Sequence, residues 1–343
     1  MSEIQFTQRF SNVIDADLRN ITIGGRAILP PHFNRRPLLS QSNISSIILH
    51  HTGGSTRDVV RLHDARVDLR NPTELRYDGI QYHFVIGPEN GLGANNGTVP
   101  AEWVYQAYTG CPLNRNAWHA GRDGNVATGV PGNVNSIAIT VSGQFDTQTQ
   151  GVFAPTNLSD AQHNQVRQSL TNLIADCLIS YPRIPRTNRA VQTMRPAPAE
   201  IQAGVMLHSD ISIGRVCPGR GFPFSDIIND AIALANMYDA VERLIVQGIT
   251  IPAPQNIGGG VHWARNGHQL EGRVGELIVA VSHRNFTQPF TRPDTLFWAV
   301  TRLNLHGLIP HHERSIWSVQ GINVPHLEQL LIELATWFSP TLN

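Results

Sequence analysis

The run Ile47-Ile48-Leu49-His50-His51-Thr52-Gly53-Gly54 decides the fold. Three apolar residues in a row mark a strand buried on both faces. Two histidines stand at its C-terminal end, and the glycine pair then turns the chain. Ser55 or Thr56 is the expected cap of a helix through Val59, Val60 and Leu62.

Working outward, residues 78–87 (DGIQYHFVIG) read as a turn and a second strand, and residues 102–106 as a third. The Gly/Asn-rich residues 88–100 read as a loop. Ala117-Trp118-His119-Ala120-Gly121 falls in another. Residues 135–143 (NSIAITVSG) are a clear central strand. Ser159-Asp160-Ala161-Gln162 has the pattern of a capping box. Val166, Leu170, Leu173, Ile174, Cys177 and Leu178 follow at helical spacing until Tyr181-Pro182. Residues 205–208 read as the next strand, and Ser225 as the cap of a last helix. Strands mixed with helices over residues 44–236 make one α/β domain.

Residues 1–43 read as an N-terminal extension with a short strand within 21–29 and an extended connector at Pro30-Pro31. Residues 237–343 differ in character. Ala240-Val241-Glu242-Arg243-Leu244 with Gly248-Ile249 recurs as Ala299-Val300-Thr301-Arg302-Leu303 with Gly307-Leu308. Each copy precedes a tryptophan, Trp263 or Trp317. This repeat of about 55–60 residues predicts a C-terminal all-α domain of two helix–loop–helix units. Cell-wall binding and oligomerisation are both open to it.

A hydrophobic fraction of 41% over 343 residues is enough for a sizeable core, while only 15% of residues are charged and the formal net charge is zero. That balance gives no long-range attraction to nucleic acid or to an anionic membrane. All 26 basic residues are arginine. No apolar run reaches the ~18–20 residues of a membrane span. The polar start MSEIQFTQRF lacks the pattern of a conventional secretory signal.

The chemistry concentrates in residues 207–224, LHSDISIGRVCPGRGFPF, which present His208, Arg215 and Cys217, the last followed by Pro218-Gly219. The three cysteines are odd in number and widely spaced, which argues against a disulfide framework. Cys177 belongs to the apolar face of a helix and Cys111 to a loop, so Cys217 is the functional candidate. With the histidines at the end of the first strand, these residues suggest a Zn²⁺ site of two imidazoles and one thiolate. Three protein ligands leave a fourth position open, the arrangement of a catalytic zinc rather than a structural one.

Five segments in order complete a pattern: His50-His51-Thr52, Tyr82-His83-Phe84, Trp118-His119-Ala120-Gly121, the strand from Asn135 to Gly143, and His208 through Cys217-Pro218-Gly219. Over about 190 residues the chain resembles the zinc-dependent N-acetylmuramoyl-L-alanine amidases of the phage-lysozyme and peptidoglycan-recognition-protein type. The resemblance implies a mixed central β-sheet flanked by helices. It implies His50, His208 and Cys217 as zinc ligands and Tyr82 as the active-site tyrosine. Arg215 stands where a cation stabilises the oxyanion; its high pKa makes it a poor acid. His119 is implied at the groove rim, against substrate, with Trp118 packed beneath it. His51 and His83 should point to the opposite sheet face by alternation and be structural.

Two departures stand out. Thr140 occupies a central-strand position where some relatives carry a catalytic Glu, and the spacing from His208 to Cys217 is nine positions, one more than in many relatives. The implied reaction is hydrolysis of the amide between N-acetylmuramic acid and the L-Ala of the stem peptide, with peptidoglycan (muropeptide) as partner. The alternatives are a non-catalytic peptidoglycan receptor and a zinc peptidase cutting elsewhere in the stem. Lysis as an endolysin, or delivery by a phage-tail-like or other secretion machine, would bring the protein to the wall.

Overall fold

In a computed structural model the chain is described over residues 6–18, 22–23, 26–27, 31, 33–53, 56–66, 79–89, 93–94, 99–120, 133–146, 156–190, 203–211, 216–219 and 221–246. It divides into two compact units, Met1–Ile232 and Ala233–Asn343. The strands are β1 (Val13–Ile14), β2 (Thr22–Ile23), β3 (Arg26–Ala27), β4 (Ser46–His51), β5 (Thr56–Arg57), β6 (Phe84–Pro88), β7 (Gly93–Ala94), β8 (Tyr105–Thr109), β9 (Ser136–Val141) and β10 (Gly204–Leu207). The helices are α1 (Val59–Asp64), α2 (Asp160–Ser180), α3 (His208–Ile211) and α4 (Phe224–Val246). Beyond Val246 the C-terminal repeats lie outside the described residues. Among the described residues, no helix is long and apolar enough to cross a membrane.

Six strands form one mixed sheet in the order β1-β8-β6-β9-β4-β10. Only β6 and β8 run antiparallel; every other neighbouring pair is parallel. All six residues of β4 are buried, as are all six of β9, because both faces of these strands are covered. That explains why they read as unbroken apolar runs rather than as alternation. The register sets Val85, Thr140 and His50 side by side on one face, since Val85 pairs with Thr140 and Thr140 with His50. Leu207 pairs with Leu49, so His208 follows β10 next to the level of His50.

The long helix α2 packs on β6 and β8. Its start is fixed by local chemistry: Ser159 Oγ accepts the Gln162 N–H, and the Gln162 side chain accepts the Ser159 N–H, a complete capping box. Gln162 Nε2 also donates to the carbonyls of Pro100 and Trp103, tying the helix to the entry of β8. Helix α1 is capped by Asp58, whose side chain accepts the Arg61 N–H, not by Ser55 or Thr56. Thr56 is drawn instead into β5, which pairs with β7 inside the stretch expected to be only loop.

Within the N-terminal segment, residues 13–14 join the edge of the sheet. Buried Asp176 on α2 accepts the main-chain N–H of Arg9, Phe10 and Ser11, and the Ser11 hydroxyl. This anchor leads residues 13–14 alongside β8. Burial raises the Asp176 pKa, and the donated hydrogen bonds hold it down.

Candidate active site

The site forms where β4 and β10 end. His50 is the fifth residue of β4 and almost wholly buried, with 1% of its surface exposed. His208 opens α3. The turn between β10 and α3 is held by buried Asp210, which accepts the Leu207 N–H at 2.8 Å. Cys217 lies back against α3, its carbonyl accepting the Ser209 N–H at 2.8 Å. Its Sγ accepts the main-chain N–H of His51 at 3.3 Å.

After Cys217 the chain runs through a cis peptide to Pro218 and then Gly219, whose φ is 88°. A Cβ at Gly219 would fall 2.4–2.5 Å from the main chain of Phe145 and Asp146, so only glycine allows this approach. Phe145 packs tilted on Phe222 and edge-on to Phe224, which holds the same segment down.

His50, His208 and Cys217 thus converge, with their ligand atoms all within 4.8 Å of one another. The His50 Nδ1 lies 3.7 Å from Cys217 Sγ, and the His50 and His208 rings are 4.5 Å apart. The donor set suits a borderline-soft ion such as zinc. Burial, then the neighbouring His208, His119 and His51, push the His50 pKa well down. The ring therefore stays neutral and keeps a lone pair to give.

Tyr82 lies against this group, its ring 5.3 Å from that of His50. Burial pushes its phenol pKa well up, and the nearby Cys217 adds to this, while Arg66 and the Thr140 hydroxyl oppose it. Thr140 Oγ1 is fully buried without a hydrogen-bond partner of good geometry. Arg215 lies outside the described residues.

His51 and His83 are structural. His51 Nδ1 accepts the Phe145 N–H at 3.1 Å, and burial lowers its pKa to about 4 against the opposing pull of Asp146. His83 Nδ1 accepts the Ala138 N–H and its Nε2 donates to the Arg115 carbonyl. His119 is not at an exposed rim. It is 6% exposed and sits behind His50, with its Nδ1 2.9 Å from His50 Nε2. Trp118 is half-buried, with a buried indole N–H that has no hydrogen-bond partner among the described residues. Two contributors escaped the reading of the sequence. Asn133 accepts the N–H groups of His119 and Ala120, and Ser136 bonds the far nitrogen of His119. Cys111 is buried with its pKa raised to about 11, mainly by burial, and takes no part in the site.

A profile of the N-acetylmuramoyl-L-alanine amidase family matches residues 40–220, more than half of the chain. The chain belongs to the N-acetylmuramoyl-L-alanine amidase family, enzymes that act on peptidoglycan. A similar solved structure is a complex of the N-acetylmuramyl-L-alanine amidase AmiD from E. coli with the substrate anhydro-N-acetylmuramic acid-L-Ala-D-gamma-Glu-L-Lys. It is 16% identical, with a TM-score of 0.34, over 87% of this chain and 89% of that one. A comparison with curated proteins found no match.

Proposed function

We propose that the chain is a zinc-dependent hydrolase of the amide bond between N-acetylmuramic acid and the L-alanine of the stem peptide. The observation that carries this reading is the convergence of His50, His208 and Cys217 within 4.8 Å, in a member of this family. These three residues would hold the ion. When bound, zinc supplies Lewis acidity at the scissile carbonyl.

The chain's own groups do the rest. Neutral His50, His208 and the Cys217 sulfur provide the donors, the two histidines standing where β4 ends and α3 begins. Tyr82, its proton held tightly, acts as a hydrogen-bond donor to the charge that develops on the carbonyl oxygen, not as a base. Arg215, two residues before Cys217, adds positive charge there. Thr140 has no ionisable proton to exchange near neutrality, so it does not replace a catalytic carboxylate. Water adds its oxygen to the carbonyl carbon, the carbon–nitrogen bond breaks, and the L-Ala amine leaves with a proton. Trp118 is assigned to the substrate groove. Residues 237–343 are assigned to wall binding or self-association, and the enzyme to the cell wall after release or delivery.

The test is digestion of purified peptidoglycan by wild type and Cys217→Ser, with zinc content measured on both and products weighed by mass spectrometry. Stem peptides beginning with L-Ala, made only by the zinc-loaded wild type, are expected. A zinc-free wild type that binds the polymer without cutting would make the protein a receptor. Fragments cut within the stem would make it a peptidase.

A further inference from the structure

His50 has two ring nitrogens, and only Nδ1 is directed at the ligand group, 3.7 Å from Cys217 Sγ. Its Nε2 meets His119 Nδ1 at 2.9 Å, and His119 Nε2 in turn meets Ser136 Oγ at 3.0 Å. The His50 and His119 rings stand at 90° with centroids 5.0 Å apart. The row reaches the sheet itself, because Ser136 is the fully buried first residue of β9 and pairs with Ser46 of β4. The backbone at His119 is fixed as well, by the two N–H groups that Asn133 Oδ1 accepts at 3.0 and 2.9 Å.

We propose that His119 and Ser136 are positioning residues which select the tautomer of His50 and aim its Nδ1 at the ligand group. The proposal rests on the zinc reading given above and goes beyond it. A row of hydrogen bonds of this kind can carry its protons in two directions. In one, His50 bears its proton on Nε2 and donates to His119 Nδ1, and His119 donates from Nε2 to Ser136. His50 Nδ1 is then a free lone pair. In the other, the Ser136 hydroxyl donates to His119 and His119 donates to His50 Nε2. His50 must then carry its proton on Nδ1, where no ion can bind. Ion binding and the direction of the row are therefore coupled. Outer partners of metal-bound histidines act in this way generally, by fixing the tautomer and ring orientation.

A glutamine at position 119 separates the roles. Its amide oxygen can accept from His50 and its amide N–H can donate to Ser136, which reproduces the productive direction. A leucine there does neither. Wild type, His119→Gln, His119→Leu and Ser136→Ala are compared as full-length chains. Zinc affinity is measured by competition with a chromogenic chelator, and kcat and KM on muropeptides at saturating zinc. Zinc-free stability is measured in denaturant.

His119→Leu should weaken zinc binding about 10–100-fold, His119→Gln should recover most of that loss, and Ser136→Ala should show a smaller loss of the same kind. KM should hardly move. The proposal is overturned if zinc affinity is unchanged in His119→Leu and KM rises instead, the signature of a substrate contact. Should His119→Leu fail to fold, wild-type affinity in Ser136→Ala together with a His119→Gln as weak as an unsupported ligand would overturn it equally. A wild type that takes up no zinc would be recognised from its metal content alone, and would remove the zinc reading first.

Discussion

His83 and His50 are both buried to 1% exposure, one just before β6 and the other near the end of β4, yet they are held in different ways. His83 gives both ring nitrogens to the main chain, one accepting from Ala138 and one donating to Arg115. His50 gives one nitrogen to another side chain and leaves the other toward Cys217 and His208. A buried imidazole whose valences are both closed by backbone is a joint of the fold. One with a nitrogen left over, beside a second histidine and a thiol, is a donor in waiting. The difference lies in the partners, not in burial or residue type.

The sharpest way to break this comparison is to remove each ring. His50→Ala should abolish zinc uptake and lower the amidase rate at least about 1000-fold, the scale of charge stabilisation a Lewis acid supplies. Its zinc-free stability should fall less than that of His83→Ala. His83→Ala leaves a buried N–H and a buried carbonyl unpaired and should lose about 2–4 kcal/mol in denaturant, with zinc per folded molecule unchanged. A His83→Ala protein that is stable but metal-free would invert the two assignments.

The same joint predicts a pH dependence. Burial lowers the His83 pKa to about 4; the bond to the Arg115 carbonyl opposes this and the charge of Arg36 adds to it. The unfolded chain takes up this proton near ~6.5, while the folded chain refuses it until about 4. Stability from this residue is therefore complete above the unfolded pKa and is lost as pH falls through the window toward 4, by up to about 3 kcal/mol. Denaturation of wild type at pH 7 and pH 5 should show the loss, and His83→Gln should shrink it, the rest coming from His51 and the other buried histidines.

Smaller effects sharpen the site side. Tyr82→Phe should lower kcat about 100-fold with zinc content unchanged, because only a hydrogen bond to developing charge is removed. Thr140→Val removes a buried hydroxyl that lacks a good partner. It should be neutral or stabilising by up to ~1 kcal/mol in thermal or chemical unfolding.

The legible parts of this chain are those decided by near neighbours. The capping box at Ser159 and Gln162 is complete within four residues, and the apolar runs of β4 and β9 announce strands covered on both faces. The ligand group itself was carried by ordered motifs. What stayed hidden depends on distant partners. Helix α1 starts at Asp58 because residues 56–57 pair with 93–94, a contact no local pattern records. The strand β1 has two residues, too few for a period to show, and it is set in place through Arg9 and Ser11, whose N–H groups meet a carboxylate 167 and 165 positions away. His119 lies in a loop motif that reads as surface, and only the fold brings its ring behind His50.

The two residues of β1 also bear on solubility. Strand β8 is paired by β6 on its inner side, and its outer row of N–H and C=O groups is closed by β1. A chain shortened to begin at residue 44 would keep all three ligands and the sheet's central register. It would also lay that row bare to the next molecule, a ready template for strand-by-strand aggregation, and would strip the buried Asp176 carboxylate of the donors it accepts. Residues 6–18 are thus a sealing strip for the sheet, and a trimmed enzyme would be expected to precipitate before it failed to cut.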